Sequence, residues 1–340
     1  MKKIFAAVFA LALFALSGAE ALFTHDIKEE KKPWNHERFG YSEDDFSFII
    51  LPDRTGNPRK GVFKSAVEKA NMFNPSFIIT VGDIIQGQMN RNHQDHDHLR
   101  KQWKEVRDFV DKSEVPFFYV VGNHDLARTR KGFPRAYETS YDVWKENFGT
   151  RTYYSFIYKN VLFLCLNHME GRNAERLAKN DQVGLTDEQV KWALDTLEKH
   201  PDVRWTCVFI HAPGAWRMAP FKKIEKALQK RNYTVFSGDW HCYVKFQRYG
   251  RNYYVLGTAG GVSQLRGEEY GEIDHLTYVK MTSKGPRVVN VKLDGIFAED
   301  AITFESNKTR DKFMRNLNIP VKKASEKKVQ KKTAPAPKGK

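Results

Sequence analysis

The fold is decided where VPFFYVV, residues 115–121, runs directly into GNHD, residues 122–125. The apolar run predicts a buried strand, and an amide, an imidazole and a carboxylate arrive together at its end. Burying such groups is costly unless they meet other polar groups or an ion. In α/β sheets, ligands bind at the carboxyl ends of parallel strands. This junction therefore predicts a parallel strand with a functional site at its end.

Four other apolar runs end in the same way, each leading into polar residues. The runs are residues 46–51, 77–81, 205–210 and 234–236, and they precede PDRTG (52–56), GD (82–83), HAP (211–213) and GDWH (238–241). Short runs rich in β-branched and aromatic residues, with helix-like stretches between several of them, are typical of stacked βαβ units. The pattern predicts an α/β protein with a parallel sheet core.

In order and spacing, the five junctions resemble the five motif blocks of the calcineurin-like metallophosphoesterase superfamily, which includes purple acid phosphatases and phosphodiesterases. The resemblance extends over roughly residues 45–265, most of the chain. It implies a four-layer αββα sandwich of two mixed β-sheets, with the strand-rich C-terminal half supplying the second sheet. It also implies an enzyme, a phosphoric ester hydrolase that cleaves a phosphomonoester or phosphodiester with metal-activated water.

The same resemblance implies a centre for two divalent or trivalent metal ions, with Mn, Fe, Zn and Mg as candidates. Carboxylate, amide and imidazole groups suit such ions better than they suit a thiolate site. Asp83 would bridge the two ions, with Asp53 and His241 on the first and Asn123 and His211 on the second. The implied metal ligands are Asp53, Asp83, Asn123, His211, Asp239 and His241.

Two implied catalytic residues lie in the GNHD block. His124 would act as general acid or stabilise the transition state beside the phosphoryl group, and Asp125 would orient its imidazole. In the first block, Arg54 and Thr55 are candidate substrate-binding residues.

Two positions depart from the motifs of the family. Thr55 and Asp239 stand where an imidazole is expected. A threonine hydroxyl is a weak metal ligand, whereas Asp239 offers an oxygen and makes the site more negative. Both changes shift the expected preference from Zn towards Mn, Fe or Mg. They leave open whether one or two ions bind, and whether the protein is instead a catalytically impaired homologue that binds metal or a partner.

Taken singly, the candidate residues have ordinary structural interpretations. An aspartate after a strand is more often a helix N-cap, and an asparagine there is more often a turn residue. A lone histidine after an apolar strand is more often a satisfied structural group. The metal-site hypothesis depends on finding all of them together and in order.

The two ends of the chain predict where it works. Two lysines precede the apolar run at residues 4–16, and Ala19-Glu20-Ala21 offers a cleavage site, which is typical of a secretory signal peptide. We therefore expect an exported protein, periplasmic or secreted, with no transmembrane segment. The predicted regions are a signal peptide (1–21), an N-terminal extension (22–44), a catalytic domain (45–300), a C-terminal segment (301–320) and a disordered tail (321–340).

The tail is the most basic part of the chain. It holds eight Lys and one Glu, so it carries +7 of the formal net charge of +15. Such a segment cannot bury enough apolar surface to fold. Contact with an anionic envelope surface or polymer and a merely solubilising role remain alternatives, and the former makes a polymer-binding protein a third functional hypothesis. We expect no sequence-specific binding of nucleic acid.

Helices and hairpins are predicted around these motifs. We expect helices at 62–73, at 98–112 and from a capping box at Thr186 to about residue 200. Hairpins are expected at 153–166, at 244–256 and at 275–293. The stretch 86–100, which contains His93, His96 and His98, is either a third metal site or a polar loop beside the active site. The polar loop 168–183 is expected at the mouth of the pocket.

Overall fold

The computed structural model describes residues 44–87, 96–127, 135–170 and 184–296. The predicted signal peptide, segment 301–320 and basic tail lie outside the described residues, as does the N-terminal extension apart from Asp44. His93 and most of the loop 168–183 also lie outside them. The predicted region boundaries therefore stay predictions.

Within these ranges the chain forms eleven strands and five α-helices. The strands are β1 (Phe46–Leu51), β2 (Ile78–Thr80), β3 (Phe117–Phe118), β4 (Tyr154–Tyr158), β5 (Val161–Leu166), β6 (Trp205–Ile210), β7 (Tyr233–Ser237), β8 (Val244–Arg248), β9 (Arg251–Val255), β10 (His275–Thr282) and β11 (Gly285–Lys292). The helices are α1 (Val62–Asn71), α2 (His96–Val110), α3 (Ala136–Phe148), α4 (Asp187–Lys199) and α5 (Ala219–Leu228). None of the described helices is both long enough and apolar enough to cross a membrane.

The strands form two mixed sheets. The first has the order β11-β10-β1-β2-β3, and the second has the order β4-β5-β6-β7-β9-β8. In the first sheet β1, β2 and β3 are parallel to one another, and the hairpin β10–β11 is antiparallel and pairs antiparallel with β1. In the second sheet β5, β6, β7 and β9 are parallel, and β4 and β8 are antiparallel edge strands. The strands that lead into the five motif blocks are β1, β2, β3, β6 and β7, so both sheets deliver motif residues.

Three apolar clusters separate the layers and confirm the four-layer αββα sandwich. One cluster packs α1, α2 and α3 on the first sheet, through residues such as Phe63, Trp103 and Trp144. A second packs α4 and α5 on the second sheet. The third lies between the sheets, where Phe48 of β1 meets Phe163 of β5 edge-on at 5.3 Å between ring centroids.

The sequence predicted that the strands of the C-terminal half form the second sheet, and for the last two strands this is wrong. The hairpin β10–β11 joins the first sheet, because β10 pairs antiparallel with β1 in the register Phe46↔Met281. In that position Val279 and Met281 are buried between the two sheets. The cause is a long-range pairing, which the local pattern of the hairpin does not encode.

Element ends also differ from the predicted ones. The run 115–121 forms only the short edge strand β3, and Val120 donates its N–H to the Thr80 hydroxyl instead of a strand carbonyl. The chain thus leaves the sheet before the GNHD block. The cap at Thr186 is confirmed, since its hydroxyl accepts the N–H of Gln189 at the start of α4. The pattern analysis missed α3 and α5 altogether.

Candidate metal centre

The polar residues of the five motif blocks meet at one edge of the sandwich. Each of β1, β2, β3, β6 and β7 ends just before one block, and the two sheets bring these ends together. The side chains delivered there are Asp53, Asp83, His124, His211, Asp239 and His241.

Three of these residues form a tight group, which we call the first pole. Ligand atoms of Asp53, Asp83 and His241 all lie within 4.8 Å of one another. The Nε2 atom of His241 is 3.3 Å from Oδ2 of Asp53. Both carboxylates are almost fully buried, with 0% and 2% of the side chain exposed. This is the only such group of three or more His, Cys, Asp or Glu ligands among the described residues, so a third metal site at His96 and His98 gains no support there.

His211 and Asp239 form a second group at Asp83, which we call the second pole; the place of Asn123 in it stays a prediction. Nε2 of the fully buried His211 lies 3.3 Å from Oδ2 of Asp83 and 3.7 Å from Oδ1 of Asp239. Asn123 is half-buried and precedes His124, whose N–H donates to Oδ1 of Asp83 at 2.8 Å. The carboxylate of Asp83 therefore contacts residues of both poles.

Backbone carbonyls orient all three imidazoles in the same way. Nδ1 of His211, of His241 and of His124 lies 2.8, 2.7 and 2.8 Å from the carbonyl oxygens of Val81, Val262 and Gln86. A carbonyl can only accept, so each Nδ1 carries a proton, and Nε2 is the nitrogen of each ring that faces the carboxylates. This arrangement is the one found for histidines that bind metals. No sequence signal identified these carbonyl partners.

The backbone is strained where it carries the ligands. Asp83, Asp239 and His241 have φ values of 59°, 69° and 52°, in the left-handed region that non-glycine residues seldom adopt. Two glycines give the carboxylates room: a Cβ at Gly122 would lie 2.1 Å from Oδ1 of Asp83, and one at Gly238 would lie 2.2 Å from Oδ1 of Asp53. Such strain persists only where the surrounding contacts impose it, and it is concentrated at functional sites.

The sequence predicted that Asp125 orients the imidazole of His124, but its carboxylate contacts the backbone of a neighbouring turn instead. Its carboxylate accepts the backbone N–H groups of Asp83, Ile84, Ile85 and Gly122 at 2.8–3.2 Å. The imidazole of His124 is instead held by the carbonyl of Gln86. Asp125 therefore fixes the turn that carries Asp83, because four N–H donors converge on its two oxygens. Burial, and then the charge of Asp83, raise the pKa of Asp125 to about 6.

Arg54 and Thr55 both contact protein groups near Asp83. The Arg54 guanidinium donates to the carbonyl of Ile84 and to Glu105 of α2, and it stacks on Phe109. It therefore supports the turn after β2, and its role in substrate binding stays a prediction. Thr55 is fully buried, and its hydroxyl donates to Oδ2 of Asp83 at 3.1 Å. The residue that replaces the expected imidazole thus contacts the carboxylate shared by both poles.

The donor set fits a cation. Oδ1 of Asp53 and Nε2 of His211 are buried without a hydrogen-bond partner among the described residues. Burial acts to raise the pKa of Asp83, but His211 and His124 outweigh it and hold that pKa well below its usual range. Burial acts to lower the pKa of His211, but Asp83 and Asp53 outweigh it and raise that pKa. Buried carboxylates that face imidazole lone pairs are stabilised by a proton or by a metal ion between them.

Two contacts at the centre were missed by the sequence analysis. Gln86 orients His124 through its carbonyl and also accepts the N–H groups of Gly56 and Asn57 at its side-chain oxygen. His168, which follows β5, is buried with its ring 5.6 Å from that of His211. Both are placed by contacts between distant segments, and a polar residue in a loop gives no local signal of such contacts.

Comparison with known proteins agrees with this architecture. A family model described as calcineurin-like phosphoesterase matches residues 35–257, more than half of the chain. The uncharacterized protein YvnB of Bacillus subtilis strain 168 is 26% identical over 189 residues. That match covers 51% of this chain but 13% of YvnB, so the chain spans a small part of that relative's length.

Solved structures share the fold at low sequence identity. The structure of PhoD has a TM-score of 0.53 and 11% identity, and the match covers 80% of this chain and 78% of PhoD. GAP50, the anchor in the inner membrane complex of Plasmodium, has a TM-score of 0.53 and 12% identity, over 73% of this chain and 85% of GAP50. Likeness at such identity shows the fold alone.

Proposed function

The chain belongs to the calcineurin-like phosphoesterase family, and from this premise we propose an exported enzyme that hydrolyses a phosphomonoester or phosphodiester at a dinuclear metal centre. Family membership supports metal-dependent phosphoester hydrolysis in general. The observation that carries the dinuclear centre is the position of Asp83, whose carboxylate contacts His211 on one side and shares a tight ligand group with Asp53 and His241 on the other.

The ligands divide between two ions that share Asp83. Asp53, Asp83 and His241 would hold one ion, and Asp83, Asn123, His211 and Asp239 would hold the other. When bound, such a pair neutralises charge on the phosphoryl group and lowers the pKa of water. The three carboxylates of Asp53, Asp83 and Asp239 favour hard ions such as Mn, Fe or Mg over softer ions that prefer thiolate ligands.

His124 is the residue of this chain best placed to move a proton. Its side chain is 10% exposed, and Nε2 lies 3.8 Å from Oδ2 of Asp83, at the edge of the centre. Since Nδ1 is engaged by the Gln86 carbonyl, Nε2 is the atom that can carry a second proton and give it to a leaving oxygen. Asp125 and Gly122 maintain the turn around Asp83, and so they fix the position of Asp83 relative to His124.

A metal-reconstitution experiment tests the proposal. The purified protein is stripped with chelator, reloaded with Mn, Fe, Zn or Mg singly and in pairs, and assayed with 4-nitrophenyl phosphate and bis(4-nitrophenyl) phosphate. Turnover that returns with two equivalents of metal supports a dinuclear enzyme, and turnover that is complete at one equivalent contradicts it. The preference between the two substrates assigns monoesterase or diesterase activity.

A second candidate is a homologue that binds metal or a partner without turnover. It is favoured by the bond from Thr55 to Asp83, because a hydroxyl occupies the side of the first pole where an imidazole is expected. GAP50 shares this fold and is the anchor in the inner membrane complex of Plasmodium, so an anchoring role is one form that this candidate could take. Stoichiometric metal with no hydrolysis of either substrate supports this candidate.

We extend the proposal to the two chain ends. The signal peptide at 1–21 would direct export to the periplasm or the medium, and the lysine-rich tail at 321–340 would contact anionic envelope components. Cell fractionation with N-terminal sequencing of the exported form tests the first point. Co-sedimentation with anionic vesicles, before and after deletion of 321–340, tests the second, and equal binding by both forms contradicts it.

A further inference from the structure

Three exposed apolar side chains belong to the two segments that carry or contact His241. Trp240, Val262 and Leu265 are 47%, 56% and 42% exposed. Trp240 lies between Asp239 and His241, and the other two residues belong to the loop after β9. We call these three residues the apolar rim. Most exposed large apolar residues elsewhere in the described chain have no ligand of the centre beside them, for example Met72 after α1 and Val289 on β11.

Val262 is in direct contact with the site. Its carbonyl accepts from Nδ1 of His241 at 2.7 Å. A Cβ placed on Gly56 would lie 2.3 Å from Cγ1 of Val262 and 3.5 Å from Cε1 of His241, so the valine and the imidazole pack against the same glycine. Cε1 adjoins Nε2, the atom that faces Asp53. The exposed surface of Val262 therefore begins next to the metal-binding edge of His241.

Leu265, three residues after Val262, is a further exposed apolar residue, and its backbone is in an unfavourable conformation. Its φ is 51°, a left-handed value that is unfavourable for a branched apolar residue. Leu265 also lines a cavity of about 720 Å³, whose other walls combine apolar residues such as Val62 and Ile273 with charged ones such as Lys69 and Asp274. This volume is within the range of small-molecule sites. A strained, exposed leucine beside a cavity is poorly explained by folding alone.

We propose that the apolar rim binds the ester group of the substrate, and that this group is a large apolar moiety, aromatic or aliphatic. The inference rests on the proposed phosphoesterase function. When a phosphoryl group is held between the poles, its organic substituent must extend out of the centre on one side. On the His241 side that substituent would meet the apolar rim, beginning at Val262. Removing apolar surface of both partners from water would favour binding.

A series of phosphate esters that differ in apolar size tests the rim. Phenyl, 4-propylphenyl and 4-hexylphenyl phosphates have the same aryl oxygen as leaving atom, and the corresponding methyl phosphodiesters serve if the enzyme is a diesterase. We expect kcat/KM to rise along the series, by up to about fourfold for each methylene that is fully buried. Inclusion of 2-naphthyl phosphate distinguishes a flat aromatic group from a hydrocarbon chain.

The variants Val262→Ser and Trp240→Ser should reduce the ratio of kcat/KM between the hexylphenyl and phenyl substrates towards one. A ratio within one variant cancels any general loss of activity. Val289→Ser is the matched control, because Val289 is equally exposed, at 53%, but lies on β11. It should keep the wild-type ratio. A wild-type ratio near one, or a ratio that the rim variants leave unchanged, would overturn the proposal.

Binding of non-hydrolysable phosphonates separates this inference from the proposed function. If no ester is turned over, calorimetry with phenylphosphonate and 4-hexylphenylphosphonate still measures the rim in the metal-loaded protein. Tighter binding of the hexyl compound that is lost in Val262→Ser supports the rim even where hydrolysis fails. Equal affinities for the two phosphonates overturn it even where hydrolysis succeeds.

Discussion

The two poles of the centre have each lost an expected imidazole, yet they are built differently. In the first pole, Asp53, Asp83 and His241 are closely packed and nearly buried. In the second, His211 is fully buried, but the carboxylate of Asp239 is 34% exposed. The first pole is therefore enclosed by protein, whereas the second includes a carboxylate that solvent reaches. Asp83 joins the two poles, and its own position depends on Asp125 and Thr55.

Replacing the shared ligand should have the largest effect. In Asp83→Asn both poles lose a negative charge and an oxygen ligand, so both ions should be weakened and turnover should fall by more than about 100-fold, the upper range for losing an outer partner. The metal-to-protein ratio after dialysis, with the hydrolysis rate, measures this. Asp53→Asn is the comparison variant and should weaken the first pole more than the second, which it touches only through the N–H of Asp239. If Asp83→Asn retained two equivalents of metal, Asp83 would not be a ligand shared by both ions.

His124 should affect chemistry and leave both poles loaded. His124→Ala removes the proton donor but no predicted metal ligand, so the variant should keep its metal and lose about 10²–10⁴-fold in rate. The loss should be greatest for esters with poor leaving groups, which need protonation most. Equal losses for good and poor leaving groups would indicate that His124 stabilises phosphoryl charge. Loss of metal would place His124 among the ligands.

Asp125 should act on stability independently of His124. Asp125→Asn sets an amide donor against backbone N–H groups, so it should cost about 1–3 kcal/mol of unfolding free energy. Because the carboxylate contacts the turn and not the imidazole, the same cost should appear in the His124→Ala background, with coupling below about 0.5 kcal/mol. Chemical denaturation of the four proteins of this cycle measures it. If Asp125→Asn cost no unfolding free energy in the His124→Ala background, Asp125 would act by orienting the His124 imidazole after all.

Restoring an imidazole at the first pole should have the smallest effect. Thr55→His adds a nitrogen ligand beside Asp83, so the first ion should be held roughly tenfold more tightly, an effect the size of one outer partner. Chelator competition measures the affinity. Thr55→Val, which only removes the hydroxyl bond to Asp83, is the matched control and should give no gain. Equal affinities in Thr55→His and wild type would show that the first pole is not short of a ligand.

Local patterns in the sequence were sufficient for the architecture and for the residue types at the centre. The apolar runs before the five blocks correctly located β1, β6 and β7, and the family resemblance supplied the four layers. The prediction was weaker for β3, which forms two residues of strand because an edge position and the turn into GNHD end its pairing early. It located the hairpin of β10 and β11 but assigned it to the wrong sheet, because that choice depends on pairing with β1, more than 200 residues earlier.

The sequence by itself determined which groups arrive at the strand ends, because an apolar run followed by Asp, Asn or His is a local feature. Only the tertiary structure decided what each group contacts there. The carbonyls of Val81, Val262 and Gln86 set which nitrogen of each histidine faces the carboxylates, and Asp125 binds the backbone of the neighbouring turn. These partners are backbone atoms, which every residue carries, so their identity depends on how distant segments pack and not on any side chain that a sequence pattern can reveal.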